Sequence, residues 1–123
     1  MSPGTSSPIT VLDLEDLRFS PTAWLFEGGP RAGAGFSMFI VRTPPGPGVE
    51  LHTHPYRETF LLLEGEGRFT AGDDVVELRP NQMLVVPPQT PHGFRNTGDQ
   101  PLLLVSVHEA PALDQTFLGR EPR

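Results

Sequence analysis

The sequence predicts an all-β fold, a sandwich or barrel of short strands, and three observations predict it. Thirteen Gly and fifteen Pro are spread as punctuation through the 123 residues instead of being massed in one tract. Apart from residues 9–20, no stretch free of both exceeds nine residues, and an ordinary helix needs about 10 to 12. The segments between these breaks are short and apolar, as strands are. The length suits one domain with a single core.

The elements follow in order. Residues 1–8 carry no apolar anchor and read as a mobile tail, leaving 9–123 as the domain. Residues 9–12 read as a first strand, and 13–19 as a short helical turn capped by Asp13. Strands at 23–27 and 36–43 flank a loop at 28–35. The Pro-Pro-Gly-Pro-Gly run at 44–48 is too poor in N–H donors for a ladder and must be a connection. Strands follow at 49–54 and 58–64, a turn at 65–67, and a strand at 68–71. Gly72-Asp73 suits a type II′ hairpin into 75–78. Pro80 breaks the ladder, and 82–86, 92–96 and 102–108 complete nine to ten strands.

Two strands, Phe60-Leu61-Leu62-Leu63 and Leu102-Leu103-Leu104-Val105, are apolar on both faces, where a strand with one wet face would alternate. Their outer faces need a cover. A second copy of the chain in a homodimer is the favoured cover, and residues 113–118 of the tail are another. A sandwich covered internally on both faces accounts for the pattern equally well.

Composition excludes several function classes. A net charge of −6 and a pI near 5.0 supply no basic patch for nucleic acid or an anionic membrane surface. All nine basic residues are Arg, which excludes Schiff-base and lysine general-base chemistry. The absence of Cys excludes disulfides, thiolate nucleophiles and sulfur-ligated metals. No apolar run approaches the ~18 residues of a membrane span and no leader opens the chain, so the expected compartment is the cytoplasm.

The stretch from Gly46 to Gly65 carries the chemistry. His52 and His54 stand in a His-x-His pair, so on one strand both imidazoles would face the same side. Glu58 follows after a turn at Pro55-Tyr56-Arg57, and His92 comes later. Three imidazoles and a carboxylate suit one divalent transition metal ion per chain, Fe, Mn, Ni, Co, Cu or Zn. Around a six-coordinate ion they leave two positions for water, O2 or a chelating substrate; around tetrahedral zinc they close the site. Because the histidines must be neutral to bind, occupancy should fall as pH drops toward about 6.5.

Gly46-x5-His52-x-His54-x3-Glu58-x6-Gly65 resembles the first conserved motif of the cupin superfamily at every fixed position. Asn81-x5-Pro87-x-Gln89-x2-His92-x3-Asn96 resembles the second motif, with Asn81 and Gln89 where the family has Gly. The resemblance spans about residues 23–107 and is to small single-domain cupins, whose fold is a double-stranded β-helix, the jelly-roll barrel. It implies a metal inside the open end of the barrel, ligands at His52, His54, Glu58 and His92, and a homodimer.

Strand parity puts Glu50, Phe60, Leu62 and Phe94 on the ligand side, giving a mostly apolar pocket for a small-molecule substrate. Glu50 is a weak candidate general base; a rim carboxylate in water is its plainer reading. Arg42, Arg57, Arg68 and Arg95 are candidates to orient an anionic substrate, though most arginines are solvated. His108 reads as structural or interfacial, and Trp24 as lying at an interface or over the pocket mouth.

The ligand set resembles that of cupin dioxygenases such as quercetinases and acireductone dioxygenases, and of oxalate decarboxylases. The implied function is a divalent-metal-dependent enzyme on a small oxygenated organic substrate, dioxygenase-like or an enolate isomerase or cyclase. The alternative is a non-catalytic module that binds a small ligand, or a metal that only supports the fold. Sugar-nucleotide epimerase relatives use a metal-free His–Tyr pair, and the only Tyr, Tyr56, falls in the turn between the ligands.

Overall fold

A computed structural model describes residues 8–123. The expected tail, residues 1–8, lies outside the described residues but for Pro8. Eleven strands are present among the described residues: β1 (Arg18–Ser20), β2 (Ala23–Glu27), β3 (Ser37–Thr43), β4 (Gly48–Thr53), β5 (Glu58–Glu64), β6 (Gly67–Ala71), β7 (Asp74–Leu78), β8 (Met83–Val86), β9 (His92–Asn96), β10 (Leu102–His108) and β11 (Thr116–Phe117). They form a six-stranded sheet, β1-β2-β3-β10-β5-β8, and a five-stranded sheet, β11-β4-β9-β6-β7. All nine strand pairings are antiparallel. No strand is shared between the sheets, so the jelly roll is a sandwich and not the closed barrel that the sequence suggested.

Strand alternation builds the core. In β5 the residues Glu58, Phe60 and Leu62 are buried, and in β10 Leu102, Leu104, Ser106 and His108 are. The two strands pair with His108 opposite Glu58, so both polar side chains sit at one end of the same inner face. Phe69 and Phe94 stack from the other sheet at 5.1 Å, and Phe60 meets Phe69 edge-on at 5.3 Å.

Several local expectations change. Residues 9–12 form no strand, and Ile9 and Val11 are exposed. The helical turn is a 3-10 helix over Leu14–Leu17, and Asp13 makes no side-chain cap bond. The loop at 28–35 contains a five-residue helix, α1 (Gly28–Ala32), which Gly33 ends at φ 65 by donating its N–H back to Gly29. Gly72 takes φ 59 at the β6–β7 hairpin, as a II′ turn requires. Residues 113–118 do not cover the doubly apolar strands. They cross to the other sheet, where β11 pairs with β4.

Among the described residues, the outer face of the six-stranded sheet is therefore covered at one end only. There Leu12, Leu14 and Leu17 lie against Trp24, Met38 and Ile40. Trp24 also carries the Arg18 guanidinium over its ring at 4.4 Å. At the other end Leu63, Met83 and Val85 stay exposed.

Candidate metal centre

The two sheets converge on one buried cluster. β4 carries His52, His54 lies just past its end, and β9 opens with His92 directly opposite His52 in the ladder. Glu58 comes from β5 of the facing sheet. One ligand atom from each of these four buried residues lies within 4.8 Å of all the others, an arrangement that could hold one metal ion.

The hydrogen bonds show which atoms are available. His52 Nδ1 meets the Glu50 carbonyl at 2.8 Å, His54 Nδ1 the Asp114 carbonyl at 2.9 Å, and His92 Nδ1 the Thr90 carbonyl at 2.8 Å. A carbonyl only accepts, so each Nδ1 carries a proton. Each neutral ring is left with a bare Nε2 lone pair, the orientation in which backbone partners hold metal-ligating histidines. Burial, with the neighbouring His92 next, pulls the His52 pKa down to about 4, so this ring stays neutral well below the ordinary range. Loss of occupancy near pH 6.5 is therefore not expected at His52.

Glu58 Oε1 stands 2.8 Å from His92 Nε2 and 2.9 Å from His54 Nε2. With both Nδ1 atoms protonated, these are approaches of lone pair to lone pair. His54 Nε2 indeed has no hydrogen-bond partner, since its 2.9 Å approach lacks hydrogen-bonding direction. One shared proton could relieve one such pair; a single cation relieves all of them. The donor set fits a divalent ion. Burial pushes the Glu58 carboxyl up, but hydrogen bonding, first from His108, outweighs it and holds the group well below its usual value.

A cavity of about 230 Å³ runs between the sheets to this cluster. Glu58 and His52 stand on its wall with Phe60, Phe94 and Phe117. Leu62 is wholly buried in the core beside it and does not line it. Glu50 is exposed and also off the wall. Parity fails there because β4 bulges: Val49 pairs with Phe94 and His52 with His92, three residues against two. Gly93 accommodates the bulge, since a Cβ there would meet the Val49 carbonyl oxygen at 2.5 Å. What Glu50 contributes is its backbone carbonyl, to His52.

The four candidate arginines are spent elsewhere. Arg42 pairs with Glu64, Arg57 with Glu109 and Arg68 with Glu77, while Arg95 donates to the Pro122 carbonyl. No Arg lines the cavity.

Three features escaped the sequence. His108 is buried at the site, with Nε2 2.9 Å from Glu58 Oε2. Tyr56 sits in the turn as expected, yet its buried hydroxyl reaches His108 Nδ1 at 2.7 Å. The C-terminal strap brings Phe117 to 5.3 Å from the His52 ring and Gln115 to the cavity wall. All three depend on pairings at least 50 residues apart, which no local spacing signals.

With this geometry in place, the comparisons with known proteins are specific. A family model described as a cupin domain matches residues 39–108. The chain is 37% identical over 89 residues to Protein SchB of Streptomyces halstedii, covering 72% of this chain and 63% of SchB. It is 30% identical over 119 residues to H2HPP isomerase of Bacillus subtilis, covering 91% of this chain and 50% of the isomerase. It thus spans less than two thirds of each relative. An oxalate decarboxylase–formate complex from Lactobacillus farciminis superposes with a TM-score of 0.75 at 23% identity, over 85% of this chain and 34% of the decarboxylase. At that identity the likeness is one of fold.

Proposed function

Since this chain belongs to the cupin family, we propose that it is a metal-dependent enzyme acting on a small oxygenated organic substrate. His52, His54, Glu58 and His92 would hold one divalent ion. One observation carries the reading: three Nε2 lone pairs and a carboxylate oxygen converge beside an apolar cavity, with too few protons to reconcile them. A bound divalent ion would supply Lewis acidity toward an oxygen of the substrate.

The chain's own residues do the rest. The carbonyls of Glu50, Asp114 and Thr90 fix the three rings. Phe60, Phe94 and Phe117 exclude water and offer an apolar surface to the substrate's body. With no Arg on the wall, a substrate's negative charge would have to be met at the ion. This favours a molecule with one chelating oxygenated edge and an apolar remainder over a compact dianion. Proton removal beside a carbonyl, as in an enolate isomerase or cyclase, fits such a substrate, and so does dioxygenase-type oxidation. A relative named as an isomerase supports the first.

The same reading takes residues 9–123 as one cupin domain. It takes the protein as a homodimer joined through the exposed outer face around Met83 and Val85.

The test is metal analysis of protein purified without a His-tag or chelator, then an assay of diketones and catechols. Oxygen uptake and deuterium exchange at the acidic C–H are read together. About one metal per chain is expected, with exchange or uptake on at least one substrate. His52→Ala and Glu58→Ala should each lose most of the bound metal while the sandwich stays folded. Bound metal with ligand binding but no turnover would favour a non-catalytic module. Failure to bind any divalent metal would overturn the proposal.

A further inference from the structure

Four imidazoles are buried around Glu58, and they do not play the same part. Three turn Nδ1–H to backbone carbonyls and bare Nε2 atoms to the site. His108 is reversed. Its Nδ1 faces the Tyr56 hydroxyl at 2.7 Å, and its Nε2 faces Glu58 Oε2 at 2.9 Å with Ser106 Oγ at 3.3 Å.

The proton on that bridge can be assigned. Tyr56 accepts the Asp114 N–H at 3.3 Å, so its own hydrogen is free to go to His108 Nδ1. On the other side of the His108 ring stands Glu58 Oε2, a carboxylate oxygen that accepts, so the ring's hydrogen belongs on Nε2. His108 Nδ1 is therefore the acceptor, and Nε2–H donates to Glu58 Oε2. Of the two carboxylate oxygens, Oε2 is occupied by a donor and Oε1 alone faces the other histidines. Asp114 ties the two arms together, since its N–H holds Tyr56 while its carbonyl holds His54.

We propose that His108, braced by Tyr56, is the positioning residue that fixes Glu58 as a one-oxygen ligand and thereby sets the affinity of the site for its metal. The inference rests on the metal-site reading above. His108 touches the second carboxylate oxygen and would act through Glu58, not on the ion. Freed of that donor, the carboxylate can rotate, or offer both oxygens, and the buried Oε2 loses a hydrogen bond.

The test is Co(II) binding by chelator competition, with the visible spectrum of the bound ion as a report on coordination. His108→Leu keeps bulk and removes the donor; it is expected to lose 10- to 100-fold in affinity and to shift the spectrum. His108→Gln restores an N–H donor and should recover part of both. Tyr56→Phe removes a single oxygen and should give a smaller loss of the same sign. It also carries the test if His108→Leu fails to fold. Wild-type affinity and an unchanged spectrum in both His108→Leu and Tyr56→Phe, beside a wild type that binds Co(II), would overturn this inference alone. A wild type that binds no Co(II) would overturn it together with the reading of the site.

Discussion

His52 shows how one side chain carries both the site and an acid sensitivity. Burial and the adjacent His92 hold its pKa near 4, whereas an imidazole in the unfolded chain titrates near 6.5. Between those values the unfolded chain binds a proton that the native metal-free protein does not. Stability is thus fully present above about 6.5 and is lost as the pH falls toward 4, by about 3 kcal/mol at most from this group. Glu58, whose carboxyl is held below its usual value, adds a further loss only below the ordinary carboxylate range near 4.5. Denaturant titrations of chelator-treated protein at pH 7 and pH 4 should show this decline. His52→Gln should flatten its upper part, between pH 6.5 and 4.5; an unchanged slope there would assign the decline to other groups. His52, His54 and Glu58 could be read in the sequence because His-x-His and the turn to Glu58 are local spacings, whereas His92, 34 residues from Glu58, was legible through its resemblance to the second cupin motif. The His108–Tyr56 bridge could not be read, because 52 residues separate the two and only the pairing of β10 with β5 brings His108 to Glu58 and Tyr56.

At the scale of elements, the turns before β8 and β9 keep their shape without the family's glycines. Asn81 and Gln89 stand where the second cupin motif has Gly, and both take left-handed backbone, φ 70 and φ 62. Asn tolerates this conformation; Gln gains nothing from it. The geometry survives because Gln89 N–H donates to the His54 carbonyl at 2.8 Å and Asn81 N–H to the Leu62 carbonyl at 2.7 Å. Gln89→Gly should therefore stabilise the protein by about 0.5–1 kcal/mol, the relief of strain exceeding the extra entropy of Gly in the unfolded chain. A lower midpoint in denaturant would show that the side chain has a role of its own. The C-terminal strap is the opposite case, since its sequence looks like a loose tail. Yet it supplies the Asp114 carbonyl to His54, takes the Leu51 N–H at Arg120, and returns the Leu118 N–H to Leu51. Removing residues 113–123 should cost at least tenfold in metal affinity, through the freed His54 ring, and lower the melting temperature. Equal affinity in the truncated protein would mean that the turn alone orients His54. Parity arguments failed only in β4, where a bulge that no residue pattern marks sends the Glu50 side chain to solvent.

On the scale of the whole molecule, the two faces of the six-stranded sheet divide the work. Its inner face, from Leu102 and Leu62 to Glu58 and His108, carries the core and one side of the site. Its outer face is apolar and, among the described residues, covered near Trp24 but not at β8: Met83 is 64% and Val85 53% exposed, and the ladder places Met83 opposite Leu61 and Leu61 opposite Val105. That row explains why β5 and β10 read as apolar on both sides, and it answers the question of cover in part. The N-terminal segment takes the end near Trp24, and the strand of the C-terminal strap, β11, pairs with the other sheet. An apolar row left on a sheet face in water favours association, and a second copy is the partner always at hand. Sedimentation of the wild type should give twice the chain mass. Met83→Glu with Val85→Glu should give the chain mass, because two buried like charges per copy would oppose pairing. Both residues lie on the face turned away from Glu58, so the monomeric variant should keep its metal. Loss of metal together with loss of pairing would mean that the site is held in shape by the partner copy. A wild type at the chain mass would leave the outer face without a partner and the homodimer reading without support.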